Sequence, residues 1–370
     1  MKIVDRAKTA GLNMSKTSPK VDPMRASEAR FAAQRLTFDP LVFHAALALR
    51  DLGILEALMN RGEPGATVAD LSRELELSTY AVTVLLESGL GAGLVALDQE
   101  HYRLSKVGYF VLYDEMTRVN LNFVRDICYQ GAAQLITSLK EQRPAGLKEL
   151  GEWRTIYEGI GSLAEPARSS WFEFDHYYSS TAFPDALPLV FSTPARSLLD
   201  VGGNTGKWAV LCAQHDPSVQ VTLIDAAPQI EQALARAKDA GVAARIQGTA
   251  RDLLDHTQQF PRGFDIVWMS QLLLCFAESD IVSILKRSLA ALAPGGSVFV
   301  LETFWDRQKY AGASYDLQQT SLYFASMANG VSRIYDFASV RDCIELAGLR
   351  IDEVHDGLGV SHTLLRCSIA

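Results

Sequence analysis

Cysteine is scarce in this chain, and its few copies lie far apart. The 370 residues contain five cysteines, an odd number, and no two of them form a Cys-x-x-Cys pair. Zinc sites need closely spaced ligands, and disulfide frameworks need paired cysteines in an oxidising compartment. We therefore predict reduced thiols, no disulfide framework and no metal site.

An excess of positive charge and long apolar runs are lacking as well. The 35 Lys and Arg against 43 Asp and Glu give a net charge of −8, whereas nucleic-acid binding needs a clustered positive surface. No run reaches the roughly 18 apolar residues of a membrane span. Met1 to Met24 is polar, without the apolar core of a secretory signal. We expect a cytoplasmic protein with neither a membrane nor a nucleic acid as partner.

The first part of the chain predicts a tail and a mainly helical domain. Residues 1–28 are polar without periodicity, which is typical of a mobile tail. We assign residues 29–165 to a winged-helix domain with a helical connector. Asp39-Pro40 is a favourable helix start, and Thr67-Val-Ala-Asp70 has the form of a capping box. Further on, glycines 89, 91 and 93 are expected to break a helix that Ser78 caps, ahead of a two-stranded wing near residues 94–104.

A winged helix raises the alternative of a DNA-binding regulator. The helix that would read DNA, Ser78 to Ser88, contains no Lys or Arg and one Glu. Base recognition and phosphate contacts both need hydrogen-bond donors there. The regulator is therefore the less favoured alternative, and we expect the apolar helices to bury against a second copy in a homodimer.

Residues 166–370 alternate short apolar runs with helical segments. This alternation predicts βαβ units and a mostly parallel, Rossmann-like sheet. The last two runs lie close enough for an antiparallel hairpin, so we expect an α/β domain with an antiparallel edge strand. The predicted strands are 197–201, 220–225, 244–247, 265–269, 297–302, 350–354 and 362–369.

The segment Leu198–Lys207 predicts a ligand-binding loop. An apolar strand ends with Asp200 and is followed by Gly202 and Gly203, and glycine lets the backbone turn sharply and approach a ligand closely. Ligands of open α/β sheets bind at the carboxyl ends of strands. A glycine loop alone also fits a dinucleotide site, but no Gly-x4-Gly-Lys-Ser/Thr loop for phosphates occurs.

Two further acids follow at successive strand ends. Asp225 ends the second predicted strand, where a carboxylate can accept hydrogen bonds from a ribose diol. Asp252 and Leu253 follow the third, where the acid can accept from an adenine amine and the leucine can pack on the ring. A single strand-terminal aspartate is often only a helix cap. Three acids with a glycine loop predict a nucleoside pocket.

These motifs resemble the class I S-adenosylmethionine-dependent methyltransferases. The whole chain is similar to the small-molecule O-methyltransferase family, in which an N-terminal winged-helix domain dimerises. The resemblance implies S-adenosylmethionine as cofactor, with Gly202 and Gly203 in the cofactor loop, Asp225 at the ribose, and Asp252 and Leu253 at the adenine. Leu292-Ala-Pro-Gly-Gly296 also matches the family, and Ser270 occupies the place near the cofactor where many relatives have a lysine.

One departure concerns the catalytic base. The histidine of the family falls on Leu274, whereas Glu302 matches the family glutamate that steadies that histidine. A phenol titrates near 10, so about one molecule in a thousand is ionised at pH 7, a deficit of ~4 kcal/mol. A general base commonly contributes about 10²–10⁴-fold, which is of that size. Either another group replaces the missing histidine as base, or the substrate needs less help to lose its proton, or the reaction is a different one.

The candidate catalytic residues are His176 and Glu302. His176 lies in Phe-Asp-His-Tyr-Tyr, a segment that passes over the methyl end of the cofactor in relatives, although a lone histidine is more often structural. Glu302 ends a predicted strand, and the aromatic residues after it, through Tyr310, Tyr315 and Tyr323, could hold a planar ring. Cys275 is a poor base because an unpartnered thiol titrates near 8.5.

Two functions remain open on this evidence. The first is methylation of a phenolic or aryl small molecule, free or bound to a carrier, at oxygen or at a ring carbon. The second is a non-methylating enzyme of the same fold that binds the cofactor and performs hydroxylation, decarboxylation or pericyclic chemistry. Residues 268–276 also resemble a bacterial sub-branch associated with aryl polyene pathways.

Overall fold

The chain divides into two compact units, Met1–Asp114 and Glu115–Ala370. The computed structural model describes residues 24–370. Most of the predicted tail lies outside the described residues, but its last part does not, because the first helix already begins at Ala26. The division also differs from the boundary expected near residue 165, since the helical connector belongs to the second unit.

The first unit is helical with one small sheet. Its elements are α1 (Ala26–Asp51), α2 (Ile54–Arg61), α3 (Val68–Glu74), α4 (Thr79–Ala92), β1 (Val95–Asp98), β2 (His101–Leu104) and α5 (Lys106–Tyr113). The capping box forms as predicted: the backbone N–H of Asp70 donates to Thr67 Oγ1 (3.2 Å), and the backbone N–H of Thr67 donates to Asp70 Oδ2 (3.1 Å). The wing forms as the antiparallel pair β1–β2.

Two helix boundaries in this unit differ from the sequence expectation. Pro40 lies inside α1 and the helix continues on both sides of it, although a proline donates no backbone hydrogen bond and its ring crowds the preceding turn. Helix α4 runs through Gly89 and Gly91 and ends at Gly93, which has φ +76°. A Cβ on Gly89 would lie 2.9 Å from Leu49 Cδ1, so this glycine permits close packing of α4 against α1.

The second unit is an α/β domain. Its helices are α6 (Glu115–Phe123), α7 (Leu135–Glu141), α8 (Ile156–Gly159), α9 (Ala167–Ser179), α10 (Phe183–Val190), α11 (Lys207–His215), α12 (Ala227–Asp239), α13 (Glu278–Ala291), α14 (Ala311–Tyr323) and α15 (Phe337–Leu346). Its strands are β3 (Ser197–Val201), β4 (Gln220–Asp225), β5 (Ile246–Ala250), β6 (Phe264–Ser270), β7 (Leu292–Thr303), β8 (Leu349–Leu358) and β9 (His362–Ile369).

The seven strands of residues 115–370 form one sheet in the order β5-β4-β3-β6-β7-β9-β8. Strands β3 to β7 are parallel, and β9 runs antiparallel to both of its neighbours. This confirms the Rossmann-like sheet with an antiparallel element, which is β9, one place in from the edge. The order reverses at β3, so the carboxyl ends of β3, β4 and β6 meet at one point of the sheet edge, where ligands bind in such folds.

The connector helix α6 packs against α9 within the second unit through an aromatic pair and an ion pair. The rings of Phe123 at the end of α6 and Phe174 on α9 stack with centroids 3.9 Å apart. Arg118 on α6 pairs with Glu173 on α9 (2.9 Å). These contacts explain why residues from 115 onward group with the sheet. Among residues 24–370, no helix is both long enough and apolar enough to cross a membrane.

Candidate active site

The glycine loop between β3 and α11 leaves no room for side chains. Gly202 has φ +71°, and a Cβ there would lie 2.5 Å from Leu272 Cδ1. A Cβ on Gly203 would lie 2.5 Å from Leu223 Cδ2 and 2.9 Å from Asp200 Oδ2. Glycine at both positions exposes the loop backbone at the carboxyl end of β3, where a ligand can approach it closely.

Asp225 is held at the end of β4 by two backbone donors. The N–H of Asn204, in the glycine loop, donates to Asp225 Oδ2 (2.8 Å), and the N–H of Ala226 donates to Oδ1 (2.6 Å). The side chain is half-buried, and burial raises its pKa even though both N–H groups lower it. Each oxygen therefore has a fixed direction and a remaining lone pair, as a diol requires.

Asp252 and Leu253 lie in the loop after β5. Asp252 is exposed, and its Oδ1 accepts from the N–H of Leu254 (2.9 Å); the Leu253 side chain is buried. Arg287 on α13, which sequence reasoning missed, fastens this loop: its guanidinium donates to the carbonyls of Leu253, Asp255 and Gln258. A buried arginine that saturates carbonyls of one loop acts as a positioning residue.

Two polar atoms at neighbouring strand ends are buried without a protein partner. Within residues 24–370, Asp200 Oδ2 in β3 and Ser270 Oγ at the end of β6 make no hydrogen bond. Burial, and to a smaller extent the Asp225 carboxylate, raises the pKa of Asp200 to about 8. Buried polar groups are nearly always satisfied, so these atoms are expected to face a polar ligand. Together with the glycine loop and Asp225, they fit an adenosyl cofactor.

Glu302, near the end of β7, holds the turn that carries the unusual Leu274. The Leu273 N–H donates to Glu302 Oε1 (2.7 Å) at the start of the short helical turn Leu273–Cys275. Glu302 is 2% exposed, and burial raises its pKa to about 8, although the neighbouring amides lower it. Glu302 therefore steadies this turn, and it offers almost no surface to a substrate.

An aromatic cluster packs against that turn. Phe123 stacks on Phe174 and meets Tyr323 edge-on at 4.9 Å, and the Trp171 Nε1–H donates to the Tyr323 hydroxyl (2.9 Å). Leu274 packs against the same cluster. Phe123 ends α6 and Tyr323 ends α14, and each of these helices continues as a π-helical turn. Such turns are frequent at functional sites and are not visible in the sequence.

Helix α9 turns His176 and Asp175 to different sides. His176 is exposed and lines a surface cleft of about 570 Å³ with Phe172 and Glu173 on the outer face of α9. His176 thus lies at the surface whereas Glu302 is buried, and no hydrogen bond joins the two among the described residues. Asp175 lies one helical turn after Trp171, on the side of the aromatic cluster.

The surroundings of Asp175 are apolar and close to the turn. Its carboxylate acts electrostatically on Tyr157, Tyr323 and the Cys275 thiol. Burial raises the pKa of Asp175 to about 6, and Lys207 opposes this rise. Sequence reasoning named only the histidine, which stays a prediction; the four-residue spacing from Trp171 is the signal that places Asp175 on the side of the cluster.

The end of α9 is fastened to the carboxyl edge of the sheet at two points. Lys207, directly after the glycine loop, donates from Nζ to Ser180 Oγ (3.0 Å). Gln271, directly after β6, donates from Nε2 to the Tyr178 carbonyl (3.4 Å) and also contacts His362 Nε2 (2.5 Å). The two contacts place Asp175 between the glycine loop and the turn that carries Leu274.

The other aromatic candidates separate. Tyr323 belongs to the cluster, whereas Tyr310 and Tyr315 are exposed. Burial raises the pKa of Cys275 to about 12, which agrees with its rejection as a base. In the part of the chain that the structure describes, no group of three or more His, Cys, Asp or Glu side chains is placed to hold a metal ion.

Comparison with known proteins matches two family models along the chain. Residues 30–102 match a Dimerisation2-like domain, and residues 179–348 match an O-methyltransferase domain. The first match lies in the first unit, and the second covers strands β3 to β7 with the glycine loop and ends just before β8.

Individual relatives span most or part of the chain. An L-tyrosine C(3)-methyltransferase of Streptomyces lavendulae is 23% identical over 317 residues, which is 85% of each chain. The crystal structure of the S-adenosylmethionine-dependent methyltransferase SibL in its apo form aligns with a TM-score of 0.68 at 25% identity, over 91% of this chain and 98% of that one. Aclacinomycin 10-hydroxylase RdmB of Streptomyces purpurascens is 35% identical over 107 residues, 29% of this chain and 28% of the hydroxylase.

The cofactor cradle, the sheet order and these similarities agree with one another. They confirm the resemblance inferred from the motifs, including S-adenosylmethionine as the cofactor. Residues 30–102 are therefore a Dimerisation2-like domain and residues 179–348 an O-methyltransferase domain, and the chain is similar over most of its length to S-adenosylmethionine-dependent methyltransferases of the class I fold.

Proposed function

We propose that this enzyme methylates a phenolic or aryl small molecule, at a phenol oxygen or at a ring carbon. The observation that carries the proposal is that a cofactor cradle and an aromatic cluster converge on one turn. The Cys275 thiol of that turn is influenced by Asp225 from the cradle and by Asp175 from the side of the cluster. A planar aryl acceptor fits between aromatic side chains, which favour stacked and edge-on contacts.

The cofactor-binding residues in this proposal are those predicted from the sequence. The exposed backbone at Gly202 and Gly203 and the unsatisfied Ser270 Oγ border the cofactor, and Asp225 accepts from the ribose diol. Asp252 and Leu253 hold the adenine, on the loop that Arg287 fastens. When bound, S-adenosylmethionine supplies an electrophilic methyl group, and the transfer depends mainly on positioning.

The choice between oxygen and carbon depends on proton removal. Leu274 offers no proton acceptor at the place of the family histidine, and Glu302 is occupied by the backbone of the turn. An activated phenol ring is also nucleophilic at its ortho carbon. The similarity to a tyrosine C(3)-methyltransferase over most of both chains supports ring methylation as the equal alternative.

A second function has a specific observation in its favour. The local similarity to a hydroxylase, together with Leu274, supports a non-methylating enzyme that keeps the cofactor. We prefer methyl transfer because the similarity to the C(3)-methyltransferase covers 85% of both chains, against less than a third for the hydroxylase.

The proposal extends to partners and location. The Dimerisation2-like domain supports a homodimer, and we propose that the enzyme works in the cytoplasm on a small aromatic substrate, free or carrier-bound. A role as DNA-binding regulator is disfavoured because α4 carries no Lys or Arg for phosphate contacts.

The test is transfer of an isotope-labelled methyl group. The purified protein is incubated with methyl-labelled S-adenosylmethionine and 4-methylphenol, 1-naphthol, catechol or L-tyrosine, and products are analysed by mass spectrometry and NMR. We expect label in at least one product, with the NMR shift separating O-methyl from C-methyl. Cofactor binding without label in any product would overturn the proposal in favour of the non-methylating alternative.

A further inference from the structure

Three carboxylates of the described residues lie near the Leu274 turn: Asp175, Asp225 and Glu302. Asp175 alone among them is accessible to a substrate and has no hydrogen-bond partner. Among residues 24–370, its oxygens accept no hydrogen bond, whereas Asp225 accepts from Asn204 and Ala226, and Glu302 accepts from Leu273 through Oε1 and keeps its unpaired Oε2 buried. Asp175 is half-buried, in contrast to the almost inaccessible Glu302. A catalytic base needs both properties, a spare lone pair and access to the acceptor.

The position of Asp175 follows from how α9 is fastened. Lys207 and Gln271 tie the residues just after and just before the end of α9 to the carboxyl ends of β3 and β6. Asp175 lies one turn earlier, and its carboxylate acts on Lys207 beside the glycine loop and on Cys275 in the turn. The carboxylate is therefore near both the cofactor loop and the place where the family histidine would stand.

We propose that Asp175 is the catalytic base that replaces the missing histidine and accepts the proton of the aryl acceptor. This inference rests on the proposed function. The new bond to the methyl carbon forms from the acceptor's oxygen or ortho carbon, and the carbon–sulfur bond breaks with its electron pair left on sulfur. The proton from that oxygen or carbon passes to a carboxylate oxygen of Asp175 and later to solvent.

The electrostatics support this assignment. Burial raises the pKa of Asp175 to about 6, so the group is mostly ionised at neutral pH and is a stronger base than an exposed carboxylate. The ionisable or charged groups around it are Lys207, Tyr157, Tyr323 and Cys275. Asp126, in the segment after α6, accepts a hydrogen bond from Ser170 and pairs with Arg125. Burial raises the pKa of Cys275 and of both tyrosines, so none of these three can act as the base near neutral pH.

The experiment compares Asp175→Asn with Asp175→Glu, and uses Glu173→Gln as the matched control, an exposed carboxylate on the outer face of the same helix that pairs with Arg118. For the phenol that the wild type methylates in the panel above, we expect Asp175→Asn to lower kcat by about 10²–10⁴-fold. The acidic limb of the wild-type pH profile, near pH 6, should vanish with it. Asp175→Glu should recover part of the rate, and Glu173→Gln should stay within about threefold of the wild type. Calorimetry with S-adenosylmethionine shows that each variant still folds and binds the cofactor.

A second measurement does not depend on turnover. Binding of 4-nitrophenol to the protein with S-adenosylhomocysteine is titrated at mildly alkaline pH in two buffers with different heats of ionisation. Two anions in one apolar site cannot both stay charged, so the wild type should take up about one proton when the phenolate binds, and Asp175→Asn close to none.

The outcomes are separable. If the wild type methylates a phenol and Asp175→Asn retains a rate within about threefold, or if wild-type binding takes up no proton, Asp175 is not the base and the proposed function stands. If the wild type binds the cofactor and methylates none of the four acceptors, the proposed function fails and this inference fails with it.

Discussion

Residues 24–114 bury hydrophobic side chains only, whereas residues 115–370 also bury Asp200, Arg287, Glu302 and His362. For large apolar side chains exposed on helices the contrast is the opposite, and the first unit stands out. In the first unit, α1, α4 and α5 together expose Phe31, Leu36, Phe38, Leu41, Tyr80, Tyr109, Phe110 and Tyr113. Burying charge costs free energy unless a partner or ligand compensates, and exposing apolar area costs free energy unless another surface covers it.

The difference shows what each unit needs to complete it. The first unit lacks a covering surface, which agrees with its match to a dimerisation domain. The second unit lacks a polar ligand for the unsatisfied atoms at the carboxyl edge of its sheet. Each variant below alters either a polar group of the second unit or an exposed apolar group of the first, and the measurement tests the role of that group.

The largest effect is expected for Asp225→Ala. Hydrogen bonds to a charged group contribute roughly 1.5–3 kcal/mol each, so loss of this carboxylate should weaken S-adenosylmethionine binding by about 100-fold. Isothermal titration calorimetry measures the affinity. The control is Asp239→Ala, an exposed acid at the end of α12, which should bind as the wild type does. Equal affinities for the two variants would show that Asp225 does not contact the cofactor.

A charge on the exposed face of α1 should weaken self-association. Phe31 is 64% exposed on α1, and Leu346 is 69% exposed on α15 of the second unit. A buried aromatic anchor is worth about 2 kcal/mol or more at an interface, so Phe31→Asp should raise the dimer dissociation constant by at least about 30-fold, with cofactor affinity unchanged. Analytical ultracentrifugation measures this, and Leu346→Asp serves as the control. A dimer weakened by Leu346→Asp and not by Phe31→Asp would contradict the assignment of the association surface.

The smallest effect concerns the cost of a buried charge in the second unit. The pKa of Glu302 is about 8 in the folded protein and about 4.3 in the unfolded chain, so the folded state holds the proton more tightly. The stability from that proton is complete below about pH 4 and is lost as the pH rises through about 8.

Glu302→Gln mimics the protonated form at every pH and keeps an oxygen for the Leu273 N–H. Its melting temperature relative to the wild type should therefore rise between about pH 5 and pH 8, by an amount equivalent to about 1 kcal/mol or more. Asp239→Ala is again the reference, with a constant difference. A difference for Glu302→Gln that does not change with pH would mean that Glu302 is ionised in the folded protein throughout.

The elements that sequence predicted best are those whose signal is local. β3 matches its predicted range, because an apolar run followed directly by glycines admits few alternatives. The capping box at Thr67 depends on two residues three apart and forms as expected. Pro40 and Gly89 were misjudged because their effect depends on what packs against the helix, which a local pattern does not contain.

The candidate site shows the same limit. Gly202, Gly203 and Asp225 stand in motifs that name their positions, and the structure brings them together. Arg287 lies on α13, well after Leu253 in the sequence, and no residue next to it indicates that it donates to the Leu253 carbonyl. The prediction of His176 rested on residue type, whereas the 3.6-residue period of α9, which the structure shows, places the neighbouring Asp175 on the side of the aromatic cluster.

The place of β9 in the sheet has a consequence for folding of the chain during translation. β9 leaves the ribosome after both β7 and β8, yet it lies between them in the sheet, and Leu364 and Leu365 at its centre are fully buried. Until β9 emerges, β7, which carries Glu302, has one unpaired edge, and open strand edges are prone to wrong pairing. Nascent chains that stall before residue 362 are therefore expected to depend on chaperones, and a cut just ahead of this strand should release a chain that aggregates.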